Sequence, residues 1–209
     1  MKEAQAYAAH GVALVPIPLG KKGPVVPGWN EPSQAITDPA IAAALTGNIG
    51  IAHAYSTPRC AALDVDDLAF AIPMLAQHGI DLQALLDADD SVVISSGRPN
   101  HTKLLFRLHD DLPSFASKVC KQDGKTIFEL RCATADGRTV QDVLPPSIHP
   151  DTGQPYRWAG NGHWSRLPLL PIAVVDLWES ITQRKAQSTD AAISSSLGPM
   201  PDYLRARLK

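Results

Sequence analysis

Cysteine is scarce in this chain: Cys60, Cys120 and Cys132 are three in 209 residues, widely spaced and without a Cys-x-x-Cys pair. That pattern excludes a disulfide framework and gives no zinc site of the usual four-ligand spacing, so the thiols read as buried or incidental. Aromatic residues are only 6% of the composition, too few to suggest a strong base-stacking platform. No apolar run approaches the ~20 residues of a membrane span, and the N-terminus lacks the charged-then-apolar layout of a secretory signal. The expectation is a cytoplasmic protein with no membrane partner. Internal repeats and heptads are absent as well.

A strong charge of either sign is also missing, the net charge being -2, but the balance shifts along the chain. Residues 1–94 carry 4 basic and 10 acidic side chains, whereas residues 95–140 carry 8 and 5. A nucleotide or nucleic acid would have to meet that middle segment.

What is present centres on Ala61-Ala62-Leu63-Asp64-Val65-Asp66-Asp67, an apolar run ending in acid. If Ala61–Val65 is a strand, side chains two apart share a face, so Asp64 and Asp66 project together while Leu63 and Val65 enter a core. Two carboxylates held that close repel unless a cation lies between them, and hard divalent ions take such oxygen ligands. The alternative is that Asp66 or Asp67 caps a helix beginning at Leu68.

The order of elements reads as α+β. A short helix over Ala4–His10 leads into a strand over Val12–Ile17, and a loop containing Lys21, Lys22 and Trp29 follows. Asp38-Pro39 starts a helix, with Asp38 as its cap and Pro39 in its first turn. Strands are expected at Asn48–His53 and Ala61–Val65. A helix over Leu68–His78 should be delayed or kinked by Pro73, and another begins after Asp81. Further strands are expected at Ser91–Ser95 and Lys103–Leu108. Asp123-Gly124 signals a hairpin between Lys118–Cys120 and Thr126–Cys132. A second Asp-Gly, Asp136-Gly137, leads into Thr139–Leu144 and extends the antiparallel run. A Pro-Pro-Ser loop and the extended Tyr156-Arg157-Trp158 precede a terminal helix, and after Gln183 the composition turns linker-like.

The best candidate for a third acid is Glu129, inside the apolar strand Ile127-Phe128-Glu129-Leu130, where a charge is costly unless paired or metal-bound; the alternative is that its face of the strand meets water. Arg131 shares its face and either braces Glu129 or reaches a phosphate. The loop Ser95–Lys103 adds Arg98, His101 and Lys103 beside a glycine, a composition suited to polyphosphate, although taken by itself it reads first as a surface turn with scattered basic residues. Ser147-x-His149 resembles a nucleophile with its base, but no acid orients the histidine and no elbow motif surrounds the serine.

In order, the fragments Tyr7…Gly11…Val15-Pro16, Lys22-x-Pro24…Trp29, Asn48-Ile49-Gly50-Ile51, Leu63-Asp64-Val65-Asp66, Ser96-Gly97-Arg98, Phe128-Glu129-Leu130-Arg131 and Pro145-Pro146-Ser147-Ile148-His149-Pro150-Asp151-Thr152-Gly153…Tyr156-Arg157-Trp158 resemble the bifunctional primase-polymerase domain of the archaeo-eukaryotic primase superfamily. The resemblance spans about Tyr7 to Trp178. It implies an RRM-like antiparallel catalytic core (about residues 61–182) with an N-terminal α/β part (about 1–60) packed on it in one domain of residues 1–182, and a tail over 183–209. It also implies template-directed nucleotidyl transfer, with Asp64, Asp66 and Glu129 holding two Mg²⁺ or Mn²⁺ ions and Lys103, His101, Arg98 and Arg131 meeting the nucleotide. Where the family commonly has a histidine three residues before Phe106 this chain has Lys103, with His101 two residues earlier, so the second motif's role is open between them. Glu129 stands where aspartate is commoner. The partners implied are a single-stranded DNA template, nucleoside triphosphates and a separate helicase or initiator, in a plasmid, phage or integrated element. The competing expectations are a non-catalytic single-stranded-DNA-binding initiation module and a metal-dependent nuclease.

Overall fold

The computed structural model describes residues 1–183; the linker-like stretch after Gln183 lies outside the described residues. Two antiparallel sheets carry the fold. A three-stranded sheet has the order β1 (Leu14–Ile17), β2 (Asn48–Ala52), β8 (Gln141–Val143). A six-stranded sheet has the order β6 (Lys118–Gln122), β7 (Lys125–Arg131), β3 (Cys60–Val65), β5 (Thr102–Arg107), β4 (Val93–Ser95), β9 (Arg157–Trp158). Helices α1 (Lys2–Ala9), α2 (Pro39–Ala43), α3 (Leu68–Ala76) and α4 (Leu82–Asp87) come before β4, and α5 occupies residues 172–183. Among the described residues no helix is long and apolar enough to cross a membrane.

Alternation along β3 sets the layers. Leu63 and Val65 point to one core, shared with Leu75, Leu104, Phe128, Leu130 and Trp178. Cys60 and Ala62 point to a second core, where Leu105 and Ile94 meet Leu14, Ile49, Ile51, Tyr7 and Leu144. Small side chains on the inner face of β3 suit the close approach of a second sheet. Trp178 of α5 closes the first core, stacked on Phe115 at 5.2 Å and donating Nε1–H to the Ala116 carbonyl at 2.8 Å.

The Asp-Gly hairpin forms as expected: Asp123 (φ 50°) and Gly124 (φ 78°) make a two-residue turn with both φ positive, the twist that suits paired strands. Two expectations need correction. Pro73 does not delay α3, which runs unbroken from Leu68; the carbonyl its ring leaves unpartnered belongs to Ala69, which is exposed, so water can serve it. The segment after Asp136-Gly137 does not extend the large sheet either. β8 leaves it and pairs with β2, Gly50 opposite Val143 and Ile51 opposite Asp142, so the N-terminal sheet is completed by residues from late in the chain.

The same N-terminal segment pins the loop after β8. Ser147 Oγ accepts from Ile49 N–H at 2.9 Å and donates to its carbonyl at 3.2 Å, while Asn48 exchanges two 2.8 Å hydrogen bonds with the Ile148 backbone. Ser147 is thus a buried strut with both hydrogen-bonding directions used, not a nucleophile. Tyr7 donates to the Pro145 carbonyl and accepts from Trp158 Nε1–H, which explains why those distant fragments occur together.

Candidate active site

Asp64 lies on the central strand β3, directly opposite Lys103 of β5 on one side and Glu129 of β7 on the other. Directly opposed residues share a face with Cβ atoms about 4.5–5.5 Å apart, so register alone sets the acid between a cation and a second acid. Lys103 Nζ reaches Asp64 Oδ2 at 3.0 Å. Past the end of β3, the N–H groups of Asp66 and Asp67 both donate to the Ile127 carbonyl, and Asp66 opens onto the same cavity as Asp64. The capping role falls to Asp67, whose Oδ1 accepts from Ala69 N–H at 3.1 Å and Phe70 N–H at 3.4 Å. Asp67→Ala should therefore cost about 1 kcal/mol of stability, seen in the denaturant midpoint.

The cavity has a volume of about 260 Å³. Asp64, Asp66, Arg98, His101, Lys103 and Arg131, all singled out in the sequence, line it together. His101 Nδ1 lies 3.5 Å from Asp66 Oδ1, and Arg98 is exposed at the rim. Glu129 is beside the cavity rather than in its wall, its Oε2 taken by Arg131 Nη1 at 2.5 Å. Lys22 enters from the N-terminal loop, tied to Asp151 at 2.5 Å, and His149 and Tyr156 complete the wall from the Pro-Pro-Ser side. His149 Nδ1 accepts from the N–H groups of Asp151 and Thr152, which puts the ring proton on Nε2.

The residue that sequence reading missed is Asp142, on β8 of the other sheet. Its side chain is 3% exposed and takes three partners: Lys103 Nζ and Arg131 Nε on Oδ1, the latter at 2.9 Å, and His53 Nε2 on Oδ2 at 2.7 Å. Arg131 also donates to the Gln141 carbonyl at 2.8 Å. The signal was available, since a lone acid in the β-rich run Thr139–Leu144 invites the argument that applies to Glu129.

A family model described as bifunctional DNA primase/polymerase, N-terminal, matches residues 4–174. The chain belongs to that family. No curated protein matches it. The acid-and-base cavity between the sheets is the candidate site of this primase/polymerase domain, a family whose members typically use divalent metals. The donor chemistry fits: Asp64 and Asp66 bring carboxylate oxygens to one cavity walled by basic side chains. Mg²⁺ is commonly held by one or two carboxylates, with waters and substrate phosphates completing the shell. Among the described residues no three His, Cys, Asp or Glu side chains are gathered as a metal-holding group. Asp64, Asp66 and Glu129 each stand instead against one of the domain's own nitrogens.

Burial sorts the charges. Asp64 is pushed above the usual carboxylate range by desolvation, which Lys103 only partly offsets. Asp142 is desolvated too, but Lys103, Arg131 and His53 together hold it far below that range. His53 is kept low by burial despite Asp142, so it is neutral, donating from Nε2 and leaving Nδ1 towards Cys60 Sγ at 3.5 Å. For both lowered groups the unfolded chain binds more protons than the folded one, so stability must drop with falling pH. The His53 contribution is present above its ordinary 6.5 and the Asp142 contribution above 3.8, each lost as pH falls towards the lower folded value. Asp64, shifted up, offsets part of the loss just above 3.8. Melting temperature should hence decline below about pH 6.5, and His53→Gln should flatten the first part of that decline while leaving the part below pH 4.

Proposed function

We propose that the domain catalyses template-directed nucleotidyl transfer, in which a 3′-hydroxyl attacks the α-phosphate of a bound nucleoside triphosphate and pyrophosphate leaves. The observation that carries this reading is the sharing of one cavity by Asp64 and Asp66 with Lys103, Arg98, His101 and Arg131, in a chain of the primase/polymerase family. Asp64 and Asp66, with Glu129 beside them, would hold Mg²⁺ or Mn²⁺. Two such ions, when bound, lower the pKa of the attacking hydroxyl and neutralise the attacking and leaving oxygens.

The other roles belong to the chain's own groups. Lys103, which stays protonated because its two acid partners outweigh its burial, meets the triphosphate as a point charge. Arg131, planar and held by Asp142 and Glu129, supplies a fixed fork beside it. Arg98 at the rim closes on the outermost phosphate. His101 steadies Asp66, a contact that favours Lys103 for the second-motif role. The strand order β7-β3-β5-β4, with β4, the strand that follows the α3–α4 crossover, separated from β3 by β5, supports an RRM-like core. Priming or extending chains in the replication of a plasmid, phage or integrated element, with a separate helicase or initiator, is the setting this activity suits.

The test is incubation with a single-stranded DNA template, labelled nucleotides and Mn²⁺. The proposal expects new chains. Shortened template would establish a nuclease instead, and a mobility shift without either product would establish a non-catalytic binding module.

A further inference from the structure

The two cations nearest the candidate metal carboxylates are each shared between one of those carboxylates and Asp142. Lys103 Nζ lies between Asp64 and Asp142, and Arg131 bonds both Glu129 and Asp142. Asp142 comes from the opposite sheet and is buried at 3% exposure, against 26% for Asp64 and 24% for Glu129. Charge-assisted hydrogen bonds strengthen as water is excluded, so the deeper acid competes strongly for both cations, holding Lys103 more closely than Asp64 does and sharing Arg131 with Glu129. Neutral His53 fixes the Asp142 carboxylate from behind without adding a competing charge.

Resting on the reading that Asp64 and Glu129 serve divalent cations, we propose that Asp142 is a positioning residue that shares Lys103 and Arg131 with those two carboxylates, weakening each cation's hold on its acid so that the carboxylate can yield to metal and the cation to phosphate. Charge counting makes the point. Asp64, Glu129 and Asp142 against Lys103 and Arg131 leave one negative charge. Without Asp142 the remaining two acids and two bases cancel, and both bases, now undivided, pair wholly with the acids that should take metal.

The experiment measures Mn²⁺ binding to the nucleotide-free protein by calorimetry or by the electron paramagnetic resonance signal of free Mn²⁺. Asp142→Asn should weaken Mn²⁺ by about tenfold or more, the usual size for residues that orient metal ligands. Lys103→Met, which removes the competitor for Asp64, should bind Mn²⁺ more tightly than the parent, and the double variant should return near the parent value. If Asp142 were itself a ligand, the double variant would stay as weak as Asp142→Asn, and the proposal would be overturned. An unchanged affinity in Asp142→Asn would overturn it too. Should Asp142→Asn fail to fold, Lys103→Met alone decides, with unchanged or weaker Mn²⁺ binding as the contrary result.

A second readout separates positioning from the mere removal of a negative charge. Inorganic tripolyphosphate, offered without metal, should bind Asp142→Asn less tightly because its two cations now pair wholly with Asp64 and Glu129. Tighter binding, as simple charge removal requires, would contradict the proposal. Mn²⁺ binding that Asp64→Asn leaves unaltered would overturn the metal reading beneath it, an outcome distinct from any failure confined to Asp142.

Discussion

Asp64→Asn should reduce nucleotide incorporation by about three orders of magnitude or more while the fold persists, a loss in the upper range for deleting one preorganised charge-stabilising group. The fold persists for a physical reason. Asp64 is a desolvated carboxylate whose charged form is disfavoured by its surroundings, and Lys103 keeps Asp142 when Asp64 is neutralised. An isosteric amide at that position thus leaves no buried charge unpaired. Melting temperature and single-turnover incorporation, measured on the same preparation, check both halves. Activity within tenfold of the parent would remove Asp64 from the centre of the mechanism.

Asp142→Ala should have the opposite profile, with stability the first casualty. Truncation takes the shared acid from Lys103 and Arg131 and strips His53 of its acceptor, all in the wall between the two sheets. Breaking a buried, hydrogen-bonded charge pair from one side commonly costs about 3–5 kcal/mol. For a domain of this size that corresponds to a fall of about 10 °C or more in melting temperature. The check is thermal or urea unfolding of parent and variant at pH 7, and a loss under about 1 kcal/mol would show that water already serves Lys103 and Arg131. The expected contrast between Asp64 and Asp142, a small stability cost against a large one, follows from where each sits: one on the sheet that walls the cavity, the other buried at the seam that joins two sheets.

The parts of this arrangement that were legible in the sequence are those set by local periodicity. Asp64 and Leu63 had to lie on opposite faces of one strand, and Asp123-Gly124 had to turn a hairpin, because both follow from dihedral preferences over a few residues. Asp67 as a cap was visible as one of two choices, and only the geometry separated it from Asp66. The register of β3 against β5 and β7 was not legible, although it makes neighbours of Asp64, Lys103 and Glu129, because pairing between strands distant in sequence is decided by tertiary packing. The same limit concealed Asp142. Its strand leaves the sheet that holds the other site residues and returns to the N-terminal one, and nothing within Thr139–Leu144 announces that switch. The family resemblance supplied the order of the motifs; the structure supplied the reason that segments so far apart belong together.

The most direct measurement is the anomalous signal of Mn²⁺ in crystals of the domain soaked with Mn²⁺ and a non-hydrolysable nucleoside triphosphate. The account predicts a peak within coordination distance of both Asp64 and Asp66, with the triphosphate against Lys103 and Arg131. A peak bound elsewhere, or a triphosphate seated away from Lys103 with the Asp64–Lys103 pair still closed, would contradict it.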